Sequence, residues 1–485
     1  MKKKINVSGV VAGIDFGTTS CAAVFYDSTT GLTNGASIAT PKVGNLPEKR
    51  HEFDISKLAE TLRGILGEKA KAVTHLCVGQ FQHSLVLLDV DYAPVHAGAV
   101  LWCDERAADM VDEIKGKADI RGITGNDVYS GLILAKAYWF SKKMPDVWKK
   151  VRWICTLADY LGYLLTGKLV LSRSDGMCNN ILTRDGKVAV EVFRALGLNP
   201  EIIPEVVATG NVVGNCNTEF AGSLGLGSQC VYHSPLADNH SGKTGLGSPN
   251  DAVTLSFGSS GTGTATNDSW THDGQYHRFD DFGKVFLLTI LVNSGLAWTS
   301  FKGCMRVAIK AKTKSNDNVD KTLDRLAMSG KPFFYLDDTL LERFLPTNTG
   351  FTVHNAPSDA ALNDWAISVL QSITFGMWER AIPMLDAGIT KVCLTGDLAN
   401  SSIIQGLIYQ LANGRKLEVL KAEGSGFNCA KGALIAALAS ATKRGVGEIQ
   451  EHLCRLKPIK PSWIPTQVVE RFDGWTAIRK SLGKQ

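Results

Sequence analysis

A chain of 485 residues, 20% charged and 44% apolar, has room for two or three cores and the balance of an ordinary globular protein. Its net charge of +5 is small for that length, and its lysines and arginines are scattered, which excludes a nucleic-acid surface. No apolar run approaches a bilayer span, so no membrane segment is expected. The opening MKKKINVSGVVAG resembles a secretion signal only superficially, because its apolar part is short, interrupted by Asp15 and continuous with the first strand. The 11 cysteines are odd in number and none has zinc-ligand or C-x-x-C spacing. They read as buried free thiols in a reducing compartment, the cytoplasm.

In chain order, residues 11–27 (VAGIDFGTTSCAAVFYD) come first: two apolar runs around a Gly-Thr-Thr-Ser corner, the pattern of a β-hairpin. Gly17 is expected to supply a positive φ and a close backbone approach, and Thr18, Thr19 and Ser20 to add hydroxyl donors. Such a corner makes a nest for phosphate. Asp15 stands inside the otherwise uncharged first strand, where a carboxylate suits a phosphate site only with a cation such as Mg²⁺ between them. The plain alternative is an ordinary hairpin with turn residues at its tip.

Ile55, Leu58, Ala59, Leu62, Ile65 and Leu66 recur at helical spacing behind Asp54 as N-cap. Short apolar runs at 74–78, 85–89 and 99–102 read as strands, so the region is α/β. Gln82 and His83 follow the first of these runs. Trp102, Asp104 and Arg106 follow the last, and on an extended segment they would put an aromatic face, an acceptor and a fork of donors on one side. That is an inventory for gripping a sugar; the alternative is a surface ion pair beside a core tryptophan. Residues 130–168 read as helices, one stopped near Pro145 and one capped by Gly167. Residues 205–235 look irregular, with a strand over 229–236. Asp238 and Asn239 come next, and Asp238 reads as a helix N-cap or as a general base.

Residues 251–268 then repeat the opening motif, with Leu255-Ser256-Phe257-Gly258-Ser259-Ser260 aligned on Ile14-Asp15-Phe16-Gly17-Thr18-Thr19. Only the first copy carries a carboxylate. Two phosphate corners sharing one carboxylate fit a Mg-nucleotide held by two related domains. Further on, 362–377 has a helical period, and 391–394 is a strand leading to Gly396 and Asp397, a βα corner against which a flat ligand can lie. The Gly- and Ala-rich stretch 424–437 permits close helix packing beside that corner. An amphipathic helix at 468–482 ends the pattern.

Taken together these motifs resemble the FGGY family of carbohydrate kinases in the actin/Hsp70/sugar-kinase superfamily, and within it the xylulokinase-like subgroup. Residues 13–20 resemble the family's first phosphate motif, Trp102-x-Asp104-x-Arg106 its sugar motif, and 256–261 its second phosphate motif. Residues 157–167 and 172–180 are typical of it, and Leu394-Thr395-Gly396 opens its adenosine motif. The resemblance implies an α/β, two-lobed actin/Hsp70/sugar-kinase-like fold, with a mixed sheet and flanking helices in each lobe and the nucleotide in the cleft. It divides the chain into an N-terminal lobe, 1–246, and a C-terminal lobe, 247–485, whose last helix packs back on the first lobe.

The implied activity is transfer of the γ-phosphoryl of ATP to a ketose such as D-xylulose. The other readings are a kinase for ribulose, sedoheptulose or glycerol, a sugar-binding regulator, and an actin- or Hsp70-like ATPase. The implied roles are Asp238 as catalytic base and Asp15 on Mg²⁺. Gly17, Thr18, Thr19, Ser20, Gly258, Ser259, Ser260, Gly396 and Asp397 would hold ATP. Gln82, His83, Trp102, Asp104, Arg106, Asp238 and Asn239 would hold the sugar. The expected partner is that small sugar, with neither nucleic acid nor membrane, and a homodimer is compatible with the pattern. The chain departs from the family where Cys21, Ala22 and Ala23 replace a basic residue, where Gln82-His83 lacks a following glycine, and where Asp397 replaces a second glycine.

Overall fold

Along the strand Val10–Phe16, side chains alternate between two faces. Ala12, Ile14 and Phe16 enter a core with Leu62, Ile65, Leu76 and Val78. Val11, on the opposite face, packs with Cys77, Ala430 and Leu434. Both faces of this strand are therefore covered, as a sheet with helices on either side requires. The computed structural model describes residues 5–258, 260–267, 277–291, 294–312, 319–337, 351–423 and 426–481.

The chain forms two compact units. The first takes Met1–Gly247, Asn267–Leu287 and Gly426–Cys454. Its main sheet runs Val212–Asn215, Val231–His233, Val73–Gln80, Val10–Phe16, Ser20–Asp27, Gly31–Ala39, with Leu236–Ala237 also paired to Val73–Gln80. The Val10–Phe16, Ser20–Asp27 and Gly31–Ala39 strands form an antiparallel meander, and Val10–Phe16 pairs in parallel with Val73–Gln80. The helix Asn428–Thr442 lies on this sheet because glycines let it. A Cβ at Gly13 would come within 2.0 Å of the Ala430 carbonyl oxygen, and one at Gly432 within 1.8 Å of that of Ser241. From Gly426 onward the Gly- and Ala-rich stretch thus packs in the first unit. Segments 267–287 and 426–454 join that unit although they lie beyond residue 246.

The second unit takes Ser248–Thr266, Leu288–Ser425 and Arg455–Gln485. Its sheet includes the order Gly261–Asn267, Ala252–Phe257, Lys391–Thr395, Glu418–Ala422, Leu456–Pro458. The first two strands form an antiparallel hairpin, and Ala252–Phe257 pairs in parallel with Lys391–Thr395. The long helix Leu362–Leu385 packs with the last helix, Val468–Ser481: Phe375 meets Trp475 edge-on, and Arg479 pairs with Glu379 at 2.6 Å. The last helix therefore docks within its own unit, held by that aromatic contact and ion pair. Within 205–235, expected to be irregular, short strands form at Glu205–Val207 and Val212–Asn215, and the expected 229–236 strand is split at Ser234. Among the described residues no helix is long and apolar enough to cross a membrane.

Candidate active site

In the first unit, the Gly17 N–H bonds the Ser20 carbonyl at 3.0 Å, closing the corner of the first hairpin. Gly17 does not adopt a positive φ; glycine is required because a Cβ would sit 2.8 Å from that same carbonyl oxygen. Thr40 Oγ1 donates to the Gly17 carbonyl at 2.5 Å, and Trp102 Nε1 donates to Thr18 Oγ1 at 2.9 Å. Thr19 is exposed and Ser20 half-buried. Asp15 shares the Val11 face of its strand, in register with Gly79. A Cβ at Gly79 would meet Ser241 of the Asp238–Leu246 helix, so helix and strand are in close contact. Asp15 and Asp238 are brought together by this packing.

Asp238 is the first residue of that helix, and its N-cap is Ala237. The capping alternative therefore does not describe it: its Oδ1 accepts from the Asn239 N–H at 2.6 Å and from Asn239 Nδ2 at 2.9 Å. Asn239 Nδ2 also reaches Gln82 Oε1 at 3.3 Å, and Gln82 Nε2 lies 2.9 Å from His83 Nε2. The His83 tautomer follows from its surroundings. The Ile133 N–H donates to Asn179 Oδ1, so that atom is an acceptor and His83 Nδ1, 2.9 Å away, must be its donor. His83 Nε2 then accepts, from Gln82 and from the Tyr129 hydroxyl at 2.7 Å. Asp238, Asn239, Gln82, His83 and Tyr129 form one continuous hydrogen-bonded chain.

Asp104 and Arg106 are arranged differently from the expected extended grip. Residues 101–106 form turns, and Arg106 grips both oxygens of Asp104 at 2.7 and 2.8 Å and Glu52 Oε1 at 2.5 Å. His96 also reaches Glu52, at 2.8 Å. Burial works to raise the Asp104 carboxyl, but Arg106 outweighs it and holds the carboxyl below the usual range. This buried cluster braces the loop that presents Trp102.

In the second unit, Gly258 and Ser260 lie in the corner between Ala252–Phe257 and Gly261–Asn267, while Ser259 is outside the described residues. Gly396 has φ +89°, and a Cβ there would lie 2.5 Å from the Phe257 carbonyl carbon, so only glycine fits against this hairpin. Asp397 is exposed and begins a short 3₁₀ turn, Asp397–Asn400; Ser401 caps the helix after it.

Residues 10–245 match the FGGY family of carbohydrate kinases, N-terminal domain. That segment belongs to the family. A xylulose kinase of Lactococcus lactis subsp. lactis is 31% identical over 266 residues, 53% of this chain and 53% of that relative. The match thus spans about half the relative's length. A xylulose kinase of Bacillus subtilis is 23% identical over 465 residues, 92% of this chain and 91% of the relative. The crystal structure of a xylulose kinase from Rhodospirillum rubrum shares the fold with a TM-score of 0.86, covering 98% of this chain and 99% of that one at 19% identity. Two mixed sheets with flanking helices are therefore the sugar-kinase form of the actin/Hsp70-like fold.

Within the family-matching segment the charge pattern around Asp15 is pronounced. Burial first, and then the neighbouring Asp238 carboxylate, push the Asp15 carboxyl up to about 7. Its Oδ1 is buried without a hydrogen-bond partner. Asp175, fully buried on the helix Arg173–Cys178, is pushed well above the carboxylate range by burial, Asp159 and Asp238, while Gln80 opposes the shift. Among the described residues no three His, Cys, Asp or Glu side chains gather as a metal cage.

Sequence reasoning missed Tyr129, Asn179, Asp175 and Lys136. Asn179 and Asp175 lie in the 172–180 stretch that resembles the family, but no spacing singled them out. Lys136 did leave a signal: it interrupts the apolar run Ile133-Leu134-Ala135-Lys136-Ala137 and is buried with it. Nothing around Tyr129 marked it.

Proposed function

We propose that the chain is an ATP-dependent carbohydrate kinase transferring the γ-phosphoryl group of ATP to a hydroxyl of a ketose, with D-xylulose first among candidates. The observation that carries this reading is the hydrogen-bonded chain from Asp238 through Asn239 and Gln82 to His83, beginning beside Asp15. An aspartate at a helix start, linked to a row of neutral donors and acceptors, suits a base for a polyhydroxylated acceptor. The xylulose kinase relatives favour a ketose of that size.

Asp238 takes the proton of the attacking hydroxyl, Asn239, Gln82 and His83 orient the sugar, and Trp102 offers a ring face to its C–H side. Asp104 and Arg106 act through the loop they brace. The Gly17–Ser20 corner binds phosphate, the motif resemblance gives the same role separately to the Gly258–Ser260 corner, and Gly396 with Asp397 borders the nucleoside. Mg²⁺ fits at Asp15, whose unpartnered Oδ1 and raised carboxyl leave a charge to be matched. When bound there it would neutralise phosphate oxygens, as one carboxylate plus substrate phosphates commonly arrange. Phosphoryl transfer depends on such positioning more than on covalent chemistry.

The test is coupled ADP release from the full chain over a panel of ketoses, aldoses and polyols with Mg-ATP. Sugar-dependent turnover, fastest on a ketose, is the expected result. Sugar-independent hydrolysis would select the ATPase reading, and sugar binding without turnover the regulator.

A further inference from the structure

Lys136 is fully buried on the helix Ile133–Lys143, in a row of Ile, Leu and Ala where an apolar side chain would fill the space without desolvating a charge. Its ammonium has three N–H donors and meets three backbone carbonyls: those of His83, of Val100 at 2.9 Å and of Leu101 at 3.2 Å. These acceptors belong to two different segments. His83 ends the Gln82-His83 pair. Val100 and Leu101 lead directly into Trp102. The segments are otherwise joined by the reciprocal backbone bonds of Leu85 and Val100, both 2.9 Å.

His83 also has φ +73°, a left-handed conformation that a non-glycine residue keeps only when its surroundings hold it. The Lys136 bond falls on the carbonyl of that strained residue. His83 bonds Gln82, Tyr129 and Asn179, while Trp102 bonds Thr18 of the first hairpin. One ammonium thus joins the backbones that carry the sugar-orienting side chains. Burial first lowers its ammonium to about 7; Asp104, nearby, favours the charge, and Arg106 opposes it.

We propose that Lys136 is a positioning residue for the sugar site, an internal cation that fixes the His83 and Leu101–Trp102 backbones relative to each other. The inference rests on the carbohydrate-kinase reading for its effect on catalysis, but not for its effect on the two segments.

The test compares Lys136→Met and Lys136→Gln with the wild-type full chain, in steady-state kinetics and in amide hydrogen exchange. The Met variant is expected to raise the sugar KM about tenfold, the scale of one lost hydrogen bond, and to leave kcat and the ATP KM within about twofold. Exchange at Leu85 and Val100 should accelerate, with Val11 and Tyr26 in the neighbouring hairpin unchanged. The Gln variant, which keeps a donor, should recover part of both effects. An unmoved sugar KM, unmoved exchange at Leu85 and Val100, or faster exchange throughout the sheet would each overturn the proposal. So would failure of both variants to fold, since Lys136 would then support the unit as a whole. A wild-type chain without sugar-dependent turnover would sink the kinase reading alone; the exchange comparison would still decide whether Lys136 fixes the two segments.

Discussion

The indole N–H of Trp102 donates to the Thr18 hydroxyl at 2.9 Å, so the ring proposed to face the sugar is anchored on the corner of the first hairpin. If that corner holds phosphate, nucleotide and sugar binding share a joint. Trp102→Phe keeps a ring for stacking and removes the donor. It should bring sugar affinity measured with and without a non-hydrolysable ATP analogue towards the same value, because coupling between two ligands is a difference between their linked affinities. Calorimetric titration in both conditions checks this, and a coupling equal to wild type would separate the two sites.

Asp238→Asn keeps the size and one acceptor oxygen of a residue that does not cap its helix. Melting temperature and ATP binding should stay near wild type, while sugar-dependent turnover falls by roughly 10²–10⁴-fold, the scale of acid–base assistance. A well-folded variant with near-wild-type turnover would remove Asp238 from the chemistry.

Asp15 has a raised carboxyl, about 7 against an ordinary 3.8. Its contribution to stability is therefore fully present below pH 3.8 and is lost as pH rises through about 7. Without divalent cation, wild type should lose more melting temperature between pH 6 and pH 8 than Asp15→Asn, which carries no titrating group there. Asp159 and Asp175 titrate in both proteins and cancel in the comparison. Added Mg²⁺ should restore the pH 8 melting temperature of wild type and not that of the variant. Equal pH slopes would contradict the assignment.

The hairpins and Asp238 were legible because their signals are local: a glycine–hydroxyl corner, alternating apolar residues, an aspartate after a strand. What those residues touch was not. Gly17 announces a special backbone, but only coordinates distinguish a positive φ from the close approach of the Ser20 carbonyl. Asp104 and Arg106 look like open polar groups until the remote Glu52 is seen to complete a buried cluster with them. The placement of Asn428–Thr442 on the first sheet is likewise a long-range fact, written in the glycines at Gly13 and Gly432 but not addressed by them.

His75 and His233 face each other at 3.1 Å, with His233 Nδ1 donating to the Gly210 carbonyl at 3.2 Å. His233 Nε2 must then accept from His75 Nδ1, so the His233 ring has to stay neutral. Burial first, and then His75, depress His233 from 6.5 to about 4. Stability from this pair is full above pH 6.5 and is lost as pH falls towards 4. His233→Gln should cost melting temperature at pH 7.5, and that difference should shrink at pH 4.5. A difference independent of pH would show that the rings only pack.

Gly396→Ala places a methyl 2.5 Å from the Phe257 carbonyl carbon, at a φ of +89°. The strain should destabilise the chain by about 1–3 kcal/mol or more, visible as a lower denaturant midpoint. If the corner borders the nucleoside, a larger ATP KM should accompany the loss. An unchanged midpoint would mean that the loop can yield.

The helix Asn428–Thr442 covers the face of the sheet that carries Val11 and Cys77, and it arrives almost last. On a ribosome adding about 5–20 residues per second, the strands laid down first would wait roughly 20–80 s for that cover. During that interval the small residues at Gly13, Gly79 and Gly245, which accept a helix backbone so closely, would face water or a chaperone. The family-matching segment 10–245 is therefore a poor unit to express alone. Joining residues 426–454 to it through a flexible linker should convert an aggregating fragment into a folded one.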